Sequence, residues 1–188
     1  MAIYLTSDLH FNHDREFIWK ARGFTSVEEM NEVIVEKINT VVGPDDDLYL
    51  LGDSGLGGPD KLEKNKQFIE SLNGRIHIVR GNHDTDTRIT MYKSCKNVVE
   101  IADVIRFKYN KIHFYLSHYP TITSNLEKES IYQAEINLYG HTHQLTNFYY
   151  DLPFCYHVGV DSHNCYPVLL DTVIEEIKNE IEVCKSYV

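Results

Sequence analysis

Arg75-Ile76-His77-Ile78-Val79-Arg80-Gly81-Asn82-His83-Asp84 is an apolar run of strand length that stops at a glycine and delivers polar side chains at once. Branched residues favour the extended chain, and the glycine permits a tight turn that brings the following side chains back over the sheet edge. The same form recurs along the sequence. Ile3 to Thr6 ends in Ser7-Asp8-Leu9-His10, Asp47 to Leu51 in Gly52-Asp53, Ile112 to Ser117 in His118, and Ile136 to Tyr139 in Gly140-His141-Thr142-His143. Ligands of α/β sheets bind beyond the carboxyl ends of strands, so five clusters spread over about 130 residues can converge on one site.

Between these strands the signals are helical. Thr25 or Ser26 caps a helix running to about Val42: Ser26 with Glu29 fits the capping box, and Val27, Met30, Ile34, Ile38 and Val41 recur at helical spacing until Gly43-Pro44. Further helices are predicted over Asp60 to Leu72, after the glycine-rich loop Gly55 to Pro59, and over Thr87 to Cys95. The second half reads as more extended. Val98 to Tyr109 is predicted as one strand, turning at Asn110-Lys111; Thr146 to Tyr150 and Tyr156 to Val160 form a strand pair; and an amphipathic helix begins near Asp171 with Ile174, Ile177 and Ile181 inward. Without repeat or linker, residues 1–188 are expected as a single domain, α/β with mixed α+β character, of two packed sheets flanked by helices.

Composition narrows the function. With 18 basic and 28 acidic residues the formal charge is −10, the wrong sign for a surface that grips long duplex nucleic acid through its phosphates. Carboxylates beside bound cations reduce that charge, so a small anionic substrate attracted locally remains compatible with it. The opening Met-Ala-Ile-Tyr-Leu-Thr-Ser-Asp has no basic region before its apolar run, and no apolar stretch reaches the length of a membrane span. Cys95, Cys155, Cys165 and Cys184 form no C-x-x-C pair and read as reduced thiols, so the expected location is the cytoplasm, away from membranes.

The donor chemistry selects a ligand. Asp and Asn oxygens mixed with imidazole nitrogens, and no thiolate, suit Mn, Fe, Zn, Co or Ni. Asp8, His10, Asp53, Asn82, His118, His141 and His143 are too many for one tetrahedral ion and suit two divalent ions sharing a carboxylate. Paired ions about 3.5–4 Å apart are a recurring device of phosphoryl transfer.

The set D-x-H, G-D, G-N-H-[DE], a lone His after a strand, and G-H-x-H, in that order from residue 8 to residue 143, resembles the calcineurin-like metallophosphoesterases. The resemblance implies a four-layer αββα sandwich of two mixed β-sheets flanked by helices. It implies that Asp8, His10, Asp53 and His143 hold one ion, that Asp53, Asn82, His118 and His141 hold the other, and that Asp53 bridges. His83 is then the catalytic histidine beside the leaving group, with Asp84 orienting it. Ser54-Gly55-Leu56-Gly57 departs from the family, whose members often carry an acidic or aromatic residue shortly after G-D.

In this reading a water bridging two cations has its pKa lowered toward about 7 and attacks phosphorus while His83 assists the leaving group. Mn²⁺ is the expected metal, with Fe, Zn, Ni or Co as alternatives. His13 and Arg22 are candidate substrate contacts, Arg22 through a bidentate phosphate pair or, equally, a surface ion pair with a nearby Glu. Arg80 is expected to hold the Asn82 loop through a buried carboxylate; His77 and His113 are structural, and His157 supports a ligand. The substrate expected first is a phosphodiester of a small nucleotide or a nucleic-acid end. A phosphomonoesterase and a noncatalytic metal-binding scaffold for a partner protein are the alternatives, and the sequence sets no oligomeric state.

Overall fold

The computed structural model describes residues 1–123, 130–150 and 152–186. In chain order its first half comprises β1 (Ile3–Thr6), α1 (Glu16–Trp19), α2 (Val27–Val41), β2 (Asp47–Leu50), α3 (Leu62–Ser71), β3 (Arg75–Val79), α4 (Asp86–Lys93) and β4 (Val98–Ala102). The second half comprises β5 (Ile105–Tyr109), β6 (Ile112–Leu116), β7 (Glu135–Tyr139), β8 (Phe148–Tyr149), β9 (Leu152–His157), β10 (Val168–Leu169) and α5 (Leu170–Ser186). The strands form two five-stranded mixed sheets, ordered β10-β1-β2-β3-β4 and β5-β6-β7-β9-β8. This is the two-sheet α/β architecture expected from the sequence.

Parallel pairing decides where the polar clusters land. β1, β2 and β3 run parallel in the first sheet, and β6, β7 and β9 in the second. Each set therefore delivers its carboxyl ends to one edge. Every residue of β2 is buried, as a parallel strand covered on both faces requires. Leu48, Leu50, Ile76 and Ile78 share a core with Met30, Ile34 and Ile38 of α2, Ile69 of α3 and Tyr92 of α4. Leu5, Tyr49, Leu51 and Val79 instead share one with Phe114, Leu116, Ile136, Leu138 and Tyr156 of the second sheet and with Val173, Ile174, Ile177 and Ile181 of α5.

Local signals account for the helix ends. Ser26 Oγ accepts from Glu29 N at 3.1 Å, while the Glu29 carboxylate reaches back to Thr25 N at 2.7 Å. Val41 is 38% exposed and Val42 is buried in its place, because the chain leaves the helix at that point. The helix expected from Asp60 starts as a 3-10 turn, Pro59–Lys61, before α3.

Two extended segments differ from expectation. The run Val98 to Tyr109 is two strands: β4 ends at Ala102 in the first sheet, and β5 starts at Ile105 in the second. Asp103 and Val104 make the exposed corner between them. Apolar residues continue on both sides of it, so the sequence pattern carries no break. In the strand pair near Tyr150, β8 lies within the predicted Thr146 to Tyr150, but β9 starts at Leu152, four residues earlier than predicted, because the turn falls at Tyr150 with φ +49°. The turn at Asn110-Lys111 is as expected, both residues being left-handed (φ +48° and +69°), which matches the twist of a two-residue hairpin. Among the described residues no helix is long and apolar enough to cross a membrane.

Candidate metal centre

The loops leaving β1, β2, β3, β6 and β7 bring the seven expected donors to one edge. Five of the seven stand in left-handed backbone: Asp8 (φ +59°), His10 (+53°), Asp53 (+53°), His141 (+67°) and His143 (+50°). Such conformations are uncommon outside glycine and cost on the order of 1–3 kcal/mol each, so they persist only where the surroundings over-determine them. Here Asp8 N donates to Gly52 O at 3.1 Å and His10 N to Asp53 O at 3.0 Å, locking the first loop to the second. Gly140 admits a close approach: a Cβ there would collide with Ser7 Oγ and Asp8 Oδ2.

Two groups of donors result. Asp8, His10 and His143 offer atoms that all lie within 4.8 Å of one another, and so do Asp8, Asp53 and His118. In the first, His10 Nε2 and His143 Nε2 are 3.1 Å apart and each is 3.9 Å from Asp8 Oδ1. In the second, His118 Nε2 is 3.4 Å from Asp53 Oδ2 and 2.8 Å from Asn82 Oδ1, which is itself 2.9 Å from His141 Nδ1. The carboxylate common to both groups is Asp8, next to the Asp53 that was expected to bridge.

The donors fit divalent cations. Asp8 is fully buried, and its Oδ2 is satisfied by Ser7 Oγ at 2.7 Å and His141 N at 2.8 Å, whereas its Oδ1 has no hydrogen-bond partner among the described residues. An unpaired carboxylate oxygen in the interior is costly unless a cation meets it. Burial, followed by the charges of His143 and Arg22, pushes the pKa of His10 down to about 2 and keeps its imidazole a neutral donor. For His143 burial acts downward too, but the hydrogen bond to Asp161 and the charges of Asp8 and Asp161 raise it on balance. His118 behaves alike through Asp53.

Anchors behind the ring nitrogens fix which atom faces inward. His118 Nδ1–H donates to Leu51 O at 2.8 Å, and His143 Nδ1–H donates to Asp161 Oδ2 at 2.8 Å, so each Nε2 is left as the lone-pair donor. Asp161 was not singled out in the sequence, although Val158-Gly159-Val160-Asp161 is one more apolar run ending in a carboxylate.

Arg22 corrects the expectation of a phosphate contact. Its side chain is 4% exposed and faces inward, pairing with Asp161 through Nε at 2.8 Å. A buried carboxylate partner outcompetes both solvent and the exposed Glu residues nearby. Asp84 is corrected as well. It is 1% exposed, and its Oδ2 accepts from Asp53 N at 3.0 Å and Gly81 N at 2.8 Å while its Oδ1 accepts from Tyr92 OH at 3.0 Å. The carboxylate satisfies backbone donors beneath the loop and does not orient the His83 ring.

His83 stands at the mouth, its side chain 47% exposed and its Nε2 3.9 Å from Asp53 Oδ2, with its ring edge-on to His10. Its backbone N donates to Asp53 Oδ1 at 2.8 Å. His13 borders the same side, 5.2 Å from His10 between ring centroids, and burial with the neighbouring His83 charge lowers its pKa. On the opposite side Tyr119, half-exposed and 4.4 Å from His141, was missed, although it directly follows the candidate donor His118. Arg80 holds the Asn82 loop through Asp84 O at 2.9 Å and the exposed Asp86 in place of a buried acid. His77 pairs with Asp47 and Glu100, and His113 is exposed on β6. His157 is buried and bonds Ser162 rather than a candidate donor.

A family model described as the calcineurin-like phosphoesterase superfamily domain matches residues 1–159. An uncharacterised protein of Methanocaldococcus jannaschii is 33% identical over 182 residues, covering 94% of this chain and 91% of that protein. The gene 66 protein of Mycobacterium phage D29 is 24% identical over 204 residues, covering 96% of this chain and 97% of its own. Among solved structures, a protein of unknown function from Aquifex aeolicus shares the fold with a TM-score of 0.68 at 24% identity, covering 93% of this chain and 98% of that one.

Proposed function

The chain belongs to the calcineurin-like phosphoesterase superfamily, and from that premise we propose that it hydrolyses phosphodiesters of small nucleotides or nucleic-acid ends with two divalent metal ions, Mn²⁺ first among Mn, Fe, Zn, Ni and Co. The observation that carries this reading is the Asp8 carboxylate, shared by two adjoining donor groups and presenting a buried oxygen that has no hydrogen-bond partner among the described residues. Asp8, His10, Asp53, Asn82, His118, His141 and His143 would hold the ions. When bound, the ions supply an acidified water and neutralise charge on the phosphoryl oxygens.

The remaining chemistry belongs to the side chains. His83 projects into solvent beside the donors, where it can give a proton to a departing oxygen. Its help matters most for a poor leaving group such as a ribose alkoxide, which favours diesters. His13 lies on the same rim within reach of a substrate oxygen. The charge of −10 opposes long duplex substrates and leaves small or terminal phosphates as the better match. Cys95, Cys155 and Cys165 are buried, unbridged thiols, which suits the cytoplasm.

The test is turnover of bis(p-nitrophenyl) phosphate and a panel of nucleotide mono- and diesters with each metal. His83→Ala should keep its bound metal and lose on the order of 10²–10⁴ in rate on alkoxide-leaving diesters, and less with p-nitrophenolate as leaving group. Absence of turnover on every ester by metal-loaded protein would refute the enzymatic reading in favour of a metal-binding scaffold.

A further inference from the structure

We infer that Arg22 and Asp161 form a buried positioning pair that sets the affinity of one ion, the one held by Asp8, His10 and His143, separately from its neighbour. The inference rests on the two-ion reading above.

One guanidinium ties three segments together. Arg22 donates from Nε to Asp161 Oδ1 at 2.8 Å and from one terminal nitrogen to Asp161 Oδ2 at 3.0 Å. The same terminal nitrogen donates to Asp8 O at 2.8 Å, and the other donates to Leu9 O at 3.3 Å. Those two carbonyls lie within the left-handed turn that aims Asp8 and His10. Asp161 in turn receives the Nδ1–H of His143, which points that ring's Nε2 at His10 and Asp8. All three donors of the first group are thus referred to one cation, across 139 residues of sequence.

Apart from the shared Asp8, whose Oδ2 is also held by Ser7 Oγ and His141 N, the second group is anchored elsewhere. His118 is held by Leu51 O, and Asn82 Oδ1 lies between His118 and His141. Loss of the Arg22–Asp161 pair should therefore fall chiefly on the first site, because His143, which Asp161 orients, belongs to that group alone. Asp161→Asn keeps an oxygen for the His143 N–H but removes its charge, leaving the Arg22 cation uncompensated beside a metal. Misorientation and repulsion then act in the same direction. Removing a partner behind a metal-bound His typically weakens metal binding by about 10–100-fold.

The experiment is Mn²⁺ titration of apo protein by calorimetry, with metal per chain after dialysis and the Mn²⁺ electron paramagnetic resonance spectrum as further readouts. Wild type should take two ions and give a spin-coupled spectrum. Asp161→Asn should weaken one step by about 10–100-fold and leave the other within about threefold, so that at intermediate Mn²⁺ the spectrum becomes that of an isolated ion. Asn82→Ala should weaken the opposite step, and combining the two should weaken both. Arg22→Lys retains the charge but cannot span three segments, so it should weaken the same step as Asp161→Asn and serves if that variant does not fold. Equal weakening of both steps, or of neither, overturns the inference. A wild type that binds one ion or none overturns the two-ion premise, and the inference with it.

Discussion

Replacing Asp84 by Ala tests the inward role that the structure gives this residue against the orienting role expected from the sequence. The carboxylate is 1% exposed and accepts from three buried donors, Asp53 N, Gly81 N and Tyr92 OH. Its removal strands all three, at roughly 1–3 kcal/mol for each donor left without a partner, so the loss should be about 3 kcal/mol or more. Asp84→Asn is the milder variant: the amide oxygen can accept from both backbone groups and the amide nitrogen can donate to the tyrosine oxygen. Its cost should be about 1–2 kcal/mol, the loss of the charge-assisted part of the bonds. Urea unfolding of the metal-free variants at neutral pH gives both values, read from the midpoint at constant slope. In parallel, kcat should follow the His83→Ala pattern for neither variant. An Asp84→Ala protein that unfolds at the wild-type midpoint and yet loses rate as His83→Ala does would refute the inward role and restore Asp84 as the partner of His83.

Three further outcomes are expected. A Cβ at Gly81 would lie 2.5 Å from Asp53 N and against Asp53 Oδ1, so Gly81→Ala should destabilise by about 1–3 kcal/mol and lower metal occupancy; unchanged unfolding and occupancy would contradict the packing described. Asp53→Asn removes a charge within hydrogen-bond reach of the His83 backbone and His118, and should weaken metal binding and activity by more than about 100-fold while the fold survives, as circular dichroism with metal titration will tell. The Asp46 carboxylate accepts from Ala2 N at 2.7 Å and Gly43 N at 2.9 Å, bonds that hold its pKa below the ordinary 3.8. Because the folded value is depressed, the stabilisation is present above 3.8 and is lost as pH falls below it. Wild type should therefore lose more stability than Asp46→Asn on going from about pH 5 to about pH 2, and parallel curves would refute the assignment.

Much of the fold was legible because its signals are local. The Ser26 cap, the Asn110-Lys111 hairpin and the apolar strands that stop at Gly52, Gly81 and Gly140 each need only a few adjacent residues. The break between β4 and β5 was not legible. Apolar residues continue on both sides of Asp103-Val104, and what separates the strands is their membership of different sheets. The short β10 was missed for a similar reason, since two residues gain strand identity only by pairing with β1.

The candidate site divides along the same line. Sequence by itself determined the candidate donors, because each follows the end of a strand within four residues and the chemistry of Asp, Asn and His announces itself. Only the tertiary structure decided where the supporting side chains point. Asp84 sits one residue after His83, yet its carboxylate turns under the loop to backbone donors of Gly81 and Asp53. Arg22 looked like a surface cation until Asp161, brought beside it from 139 residues away, gave it a buried partner. A donor's identity is written in the residue, whereas the direction of a buried charge is set by whichever opposite charge or backbone dipole folding places nearest, and no local pattern encodes that distance.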